Sequence, residues 1–390
     1  MLKIFIRKCR SARFYFDQHL ERLGESKAAK AREGHFKQWL KSLNSKPPEV
    51  LIGSNFVEFG GCRHHMHALN RFSSLTTQLA PSETVYKEVG AHHLGETFRE
   101  SFLQFRPHRI KVGHSHVFPW FVDWCHRHQQ NGLRWIHTHH NWYYPEFGKA
   151  GLEEWQEKLN ETFIFALKNA NVSLCVSKWQ QAYLRSAHGL DSHYLPNGVD
   201  VGLCDAARAA RFRSTHGPND FILYLGRNDP VKNPAEFAKL AWHLPHQNFL
   251  MIGQGLSADV LSKEWMVVLP PNLLIKDAAT HVESLDAIAA CSALVVTSKR
   301  EGLPTLVLEA MALGKPIVVP NEEGCMEAIQ SGECGFIYEL GNIDDLARKT
   351  ELALVDKIKC SRSRARILQE YDWNAVIPKL DAIYRGENPF

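Results

Sequence analysis

The chain has 390 residues, 44% of them hydrophobic and 23% charged, with a formal net charge of +4 at pH 7. That length can bury two cores of ordinary size, and so small a charge excess gives no electrostatic footprint for nucleic acid. No apolar run approaches the roughly 20 residues of a membrane-crossing helix, residues 1–13 are too basic and interrupted for a signal-peptide core, and nine cysteines without a C-x-x-C pair fit reduced thiols rather than disulfides or a zinc ribbon. A cytoplasmic location is the expectation.

Residues 1–47 form a basic N-terminal extension, with twelve Lys and Arg and far fewer Asp and Glu. Phe14, Phe16, Leu20 and Leu23, then Phe36, Leu40 and Leu43, recur at helical spacing with basic residues between them. The pattern suits a pair of solvated amphipathic helices, or a surface docking peripherally on anionic lipid. Leu2-Lys3-Ile4-Phe5-Ile6 also reads as a strand. The first strand of the folded part is placed at Glu49-Val50-Leu51-Ile52-Gly53, because Gly60-Gly61 follows it and precedes a helical run over 63–72, and tandem glycines let backbone approach a ligand closely.

Histidines then gather at strand ends. Ile110-Lys111-Val112-Gly113-His114-Ser115-His116 and Arg134-Trp135-Ile136-His137-Thr138-His139-His140-Asn141 each read as a strand running into a polar loop. Ligands collect at the carboxyl ends of parallel strands, which makes His114, His116, His139, His140 and Asn141 candidates, although any one histidine can equally be a satisfied core residue. His64 with His67, at helical spacing, keeps open a metal site for a hydrolase. No carboxylate or cysteine sits at a supporting spacing, so no metal is expected. Asn171-Val172-Ser173-Leu174-Cys175-Val176-Ser177 reads as a further strand, Pro196-Asn197-Gly198-Val199-Asp200 follows, and residues 205–219 turn polar and read as a linker. The first domain is therefore placed at 48–204.

The second domain, 220–372, opens with the buried strand Phe221-Ile222-Leu223-Tyr224-Leu225 and a glycine turn, after which Arg227 and Lys232 share one loop. Further strands are expected at 249–252, 267–271, 273–276, 293–296, 317–319 and 335–338. Between the last two pairs lies Glu301-Gly302-Leu303-Pro304-Thr305-Leu306-Val307-Leu308-Glu309-Ala310-Met311-Ala312-Leu313-Gly314-Lys315-Pro316, a loop and a helix with Pro304 at its first position and Gly314 at its end. Glu309 is the only charge on a helix apolar all round, so it needs a partner: a protein Arg or Lys, or ligand hydroxyls. The free amides of Leu303, Thr305 and Leu306 and the helix dipole make an anion site over Gly302 to Leu306, most naturally for phosphate. Two cations facing it complete a diphosphate cradle, Arg227 bidentate and Lys232 as a point charge.

Glu301, seven intervening residues and Glu309, inside E-G-L-P-T-L-V-L-E-A-M-A-L-G-K-P, resemble the E-x7-E signature of retaining GT-B glycosyltransferases, specifically family 4 (group 1). G-G-C-R-H-H-M-H-A-L, H-x-H at His114 and His116, Thr138 with His140, P-N-G-V-D and G-R-x4-K-N match further strings of that family. The resemblance implies an α/β fold of two Rossmann-like parallel-sheet domains facing a central cleft, with a C-terminal helix over 373–390 crossing back to the first domain. It implies a nucleotide-sugar donor, UDP- or GDP-linked, and a glycan or lipid-linked acceptor, as in polysaccharide biosynthesis. Gly61 would contact the donor phosphate, His140 the transferred sugar, with His139 the alternative, Glu301 the sugar hydroxyls and Glu309 the ribose, while residues 270–276 would lie near the base. Catalysis would rest on His140, Arg227, Lys232 and Glu301, without cofactor or divalent metal, a view supported by the absence of any Asp-x-Asp pair. A nucleotide-sugar epimerase and a non-catalytic nucleotide-sugar-binding protein are the alternatives on the same architecture.

Overall fold

The computed structural model describes residues 38–53, 61–80, 105, 109–144, 151–217, 220–356 and 358–390. The stretch 1–37, with its lipid-docking and rival-strand readings, and Gly60 lie outside the described residues; 38–45 are helical. No helix among the described residues is long and apolar enough to cross a membrane. The chain divides into two compact units, Met1–Thr138 with Lys168–Val172, and His139–Leu167 with Ser173–Phe390.

Among the described residues twelve strands form two six-stranded sheets. The first holds β1 (Val50–Ile52), β2 (Thr77–Leu79), β3 (Val112–Ser115), β4 (Arg134–His139), β5 (Val172–Cys175) and β6 (His193–Tyr194), in the order β2-β1-β3-β4-β5-β6. The pairs of β1 with β2 and β3, of β3 with β4, and of β5 with β6 run parallel. The second holds β7 (Ile222–Leu225), β8 (Phe249–Ile252), β9 (Leu273–Lys276), β10 (Ala293–Val295), β11 (Ile317–Pro320) and β12 (Phe336–Tyr338), in the order β12-β11-β10-β7-β8-β9, parallel throughout.

The apolar runs of the second sheet follow from its two covered faces. Leu223, Leu250, Ile252, Leu294, Ile317 and Val319 enter one core, whereas Ile222, Tyr224, Phe249, Met251, Val295 and Val318 enter the other. A strand alternates its side chains between faces, so burial on both demands a continuous hydrophobic run. Strand order reverses between β7 and β10, and the crevice beyond the carboxyl ends at such a switch point is where this architecture binds ligands. The loops that follow those two strands are 226–233 and 296–304.

Two expectations are corrected. Residues 267–271 form no strand, because Pro270 and Pro271 carry no amide for a ladder and Met266 before them takes a positive φ of 53°. Pro304 is the cap rather than the first residue of helix Thr305–Ala312, its ψ of 111° being extended; Gly314, at φ 61°, does end that helix. The stretch read as a linker carries helix Ala209–His216, which follows helix Val201–Asp205, and both are anchored. Cys204 and Phe212 join the core that holds Leu223, and Arg211 pairs with the buried Asp286.

The last helix, Trp373–Arg385, returns to the segment that closes the first sheet. Val199 bridges Asp372 in parallel, the Trp373 amide donates to the Val199 carbonyl at 3.2 Å, and Phe390 stacks on His193 with ring centroids 4.4 Å apart. Cys125, Cys175, Cys204, Cys291, Cys325 and Cys334 are buried thiols.

Candidate active site

In the second unit the loop after β7 is built around Asp229. Its carboxylate accepts from Arg227 Nη2 at 2.6 Å and from the Val231 amide at 2.8 Å, and its carbonyl accepts from the Lys232 amide at 2.9 Å. Thr297, beyond the end of β10, donates its hydroxyl to the Lys232 and Asn233 carbonyls at 3.0 and 2.9 Å, and the Lys299 amide donates to the Val231 carbonyl at 2.8 Å. The two loops at the switch point are thus joined by the Thr297 hydroxyl and by a backbone bond. Their side chains meet as well: Lys232 Nζ stands 2.5 Å from Glu301 Oε1.

Glu301 is itself held from below. Glu322 Oε1 accepts from the Glu301 amide at 2.9 Å and its Oε2 from the Cys325 amide at 3.0 Å. Burial pushes the Glu322 carboxyl above the ordinary range, against the opposing pull of the amides. Gly302 follows at a point with no room for a side chain, since a Cβ there would run into the His140 carbonyl oxygen. The Gly302 carbonyl accepts from Trp179 Nε1 at 2.8 Å and the Leu303 carbonyl from Asn197 Nδ2 at 2.9 Å. Both carbonyls therefore point away from the amides that open helix Thr305–Ala312. Val307 and Leu308 donate to the Pro304 carbonyl and no side chain caps the turn, so the Thr305 and Leu306 amides stand ahead of the helical bonding pattern.

His140 and Asn141 belong to the same constellation. Gln180 Nε2 donates to the His140 carbonyl at 3.2 Å and lies 3.4 Å from Asn141 Oδ1. Burial lowers the His140 imidazole to about 4, so it is neutral at physiological pH. His139 points the other way, into Phe163 and Trp142 at centroid distances of 5.4 and 6.2 Å, with neither ring nitrogen hydrogen-bonded. Burial, then the neighbouring imidazoles of His140 and His188, lower it to about 3. Between the two alternatives, His140 is the one beside the 301–303 loop. Among the described residues Glu309 meets neither an Arg nor a Lys: its Oε1 lies 2.6 Å from His281 Nε2.

In the first unit His114 Nε2 and Thr138 Oγ1 are 2.8 Å apart, and Ser115 Oγ and His137 Nδ1 2.9 Å apart, all four buried. His116 packs its ring 4.3 Å from that of His114 and 5.4 Å from that of His65. Gly61 opens helix Gly61–Phe72, on which His64, His65 and His67 lie.

No residue pattern in the sequence marks Trp179, Gln180, the Asn197 side chain, His281, Glu322 or Glu327 as part of the site. Glu327 takes the Lys178 and Trp179 amides at 2.9 and 3.0 Å, capping helix Lys178–His188 from a distant segment. Only Asn197 stood in a recognisable string; the others carry no local signature.

Two family models match the chain and together span most of it: glycosyl transferases group 1 over residues 208–369, and glycosyltransferase family 4 over residues 81–203. The N,N'-diacetylbacillosaminyl-diphospho-undecaprenol alpha-1,3-N-acetylgalactosaminyltransferase of Campylobacter jejuni is 36% identical over 97 residues, 24% of this chain and 26% of that protein. The chain spans about half or less of the length of the curated relatives it matches. Among solved structures, sucrose-phosphate synthase from Thermosynechococcus elongatus aligns with a TM-score of 0.72 at 16% identity, over 87% of this chain and 98% of that one. Anabaena Alr3699/HepE, in complex with UDP and glucose, aligns with a TM-score of 0.70 at 16% identity, over 87% of this chain and all of that one. The two parallel sheets and these neighbours make the fold GT-B, and with the two family matches the chain belongs to the group 1, family 4 glycosyltransferases.

Proposed function

We propose that the protein transfers a hexose-type sugar from a UDP- or GDP-sugar to a glycan or lipid-linked acceptor, with retention of anomeric configuration and without a divalent metal. The observation that carries this reading is the meeting of Lys232 with Glu301 at the switch point of the second sheet, 2.5 Å apart, next to a helix start whose amides are uncapped by any side chain. A diphosphate entering there finds a fixed ammonium, the Arg227 guanidinium and the amides of Thr305 and Leu306. These stabilise the negative charge that grows on the leaving phosphate as the glycosidic C–O bond breaks. Glu301 then accepts from sugar hydroxyls and Glu309 from ribose hydroxyls.

In this reading the acceptor hydroxyl attacks from the face the diphosphate leaves, and the departing phosphate oxygen takes the acceptor proton. Glu301 is a positioning group, already neutralised by Lys232. Neutral His140 can donate to, or accept from, the transferred sugar without adding charge. The nucleotide is held by 220–372 and the acceptor by 48–204, with 205–219 between them. The protein works in the cytoplasm, and the basic residues 1–47 give peripheral contact with an anionic membrane face. That the Campylobacter relative is named for an undecaprenyl-diphosphate acceptor, and HepE was solved with UDP and glucose, supports both ends of the proposal.

The deciding experiment is a thermal-shift screen of UDP-, GDP- and ADP-sugars in EDTA, followed by NMR of the product formed with the donor that binds. A ligand at 100 times its Kd raises stability by about 2.7 kcal/mol. An α-linked product from an α-linked donor supports the proposal. An inverted product, or conversion of the donor sugar without any acceptor, as an epimerase would give, overturns it.

A further inference from the structure

Helix His281–Ala290 begins with a complete capping box between Thr280 and Glu283, which fixes where its first residue points. That residue, His281, places Nε2 at 2.6 Å from Oε1 of Glu309, both side chains being mostly out of solvent at 29% and 16% exposure. We infer that His281 is a positioning residue for the nucleotide: it pins one oxygen of Glu309 and leaves the other to accept the ribose hydroxyls of a nucleoside diphosphate. The inference rests on the donor-site reading above.

A carboxylate on a turn of an apolar helix has rotamer freedom that a ribose would have to arrest on binding. Once Oε1 is held by an imidazole, that cost is met before the ligand arrives. Glutamate also carries a negative charge into a pocket meant for a dianion, and an imidazolium at its side compensates it. Burial opposes the charged ring, yet the Glu309 hydrogen bond and charge, with the charge of Asp200, raise the His281 pKa above its ordinary value. The charged or titratable groups around the pair are Glu309 on its helix, Asp200 before helix Val201–Asp205, Cys204 on that helix beside both, and Glu283 on His281's own helix, turned back to Thr280.

UDP and GDP affinities of the full chain are measured by calorimetry between about pH 5.5 and 9, the span in which imidazole titrates. Wild type, His281→Gln, His281→Ala and Glu309→Gln are compared, each with its melting temperature. Loss of a hydrogen bond to a charged group should weaken nucleotide binding about tenfold in His281→Ala. His281→Gln should regain most of the affinity near neutrality, because its amide donates the same bond. It should lack the fall in affinity that wild type shows as pH rises through the imidazole titration. With a nucleotide-sugar, KM should rise and kcat stay within about twofold. If Glu309→Gln weakens binding while both His281 variants track wild type at every pH, His281 only begins its helix and the inference is wrong. If wild type binds neither nucleotide, or Glu309→Gln binds as wild type does, the donor-site reading falls and takes the inference with it.

Discussion

The Lys232 ammonium and the Glu301 carboxylate lie 2.5 Å apart although 69 residues separate them in the chain. Each fixes the other at the mouth of the crevice, so the pair acts as one preorganised group. Replacing Lys232 with Ala removes a cation from the diphosphate and releases Glu301 from the ammonium that neutralises it. Turnover of the donor should fall about 100-fold or more, and single-turnover kinetics at saturating donor will measure it. Lys232→Arg should recover part of the rate; full activity in the Ala variant would sink the role given to this pair.

Arg227 is half exposed and paired with Asp229, so it is free to swing toward a phosphate by exchanging one carboxylate for another. Arg227→Ala should lower kcat/KM by about two to three orders of magnitude with little change in melting temperature. Arg227→Lys should be intermediate, since an ammonium keeps the charge and loses the fork. An unchanged rate in the Ala variant removes Arg227 from the diphosphate site.

Gly302 is set by contact rather than by chain conformation, because any Cβ would strike the His140 carbonyl. Backbone on both sides cannot yield as a flexible side chain would. Gly302→Ala should cost about 2 kcal/mol in urea unfolding and should shift the 301–303 loop enough to weaken donor binding in the same protein. A variant as stable as wild type would mean that the loop has slack.

The histidine that closes β4 and the one after it set an acid limit. His139 and His140 have folded-state values of about 3 and about 4, below the ordinary 6.5. Between those values and 6.5 the unfolded chain binds more protons than the folded one, so stability is fully present above 6.5 and is lost as pH falls toward 4 and 3. Each unit of separation is worth about 1.4 kcal/mol. His139→Leu, which fills an unbonded site against Phe163, should flatten this acid limb in denaturation midpoints measured from pH 7 to 4. A limb unchanged in slope would assign the acid loss elsewhere.

Much of the second sheet was legible because β7, β8, β10 and β11 are covered on both faces, and continuous apolar runs survive inspection without any knowledge of packing. The pairing of a basic loop with E-x7-E was legible for a different reason: both sit directly after strands whose order places them side by side. Residues 267–271 misled because Val267 and Val268 look like strand, and the two prolines behind them carry the decisive information. Glu327 could not be found from sequence, since its partners at Lys178 and Trp179 are 149 and 148 residues away and its own surroundings, Cys325-Met326-Glu327-Ala328, resemble any helix end. His281 was hidden likewise: Glu309 announced a need for a partner, but a first-turn histidine on another helix announces nothing.

The buried thiols give the chain internal reporters. Burial drives the Cys175 and Cys291 thiols up to about 12, so neither forms appreciable thiolate in the folded protein. An alkylating reagent can reach them only through an opening event, and their labelling rates read the frequency of that event. Cys125 lies in the first compact unit and Cys291 in the second. Their relative labelling with iodoacetamide, resolved by peptide mass, distinguishes a chain that breathes in two independent halves from one that melts as a whole.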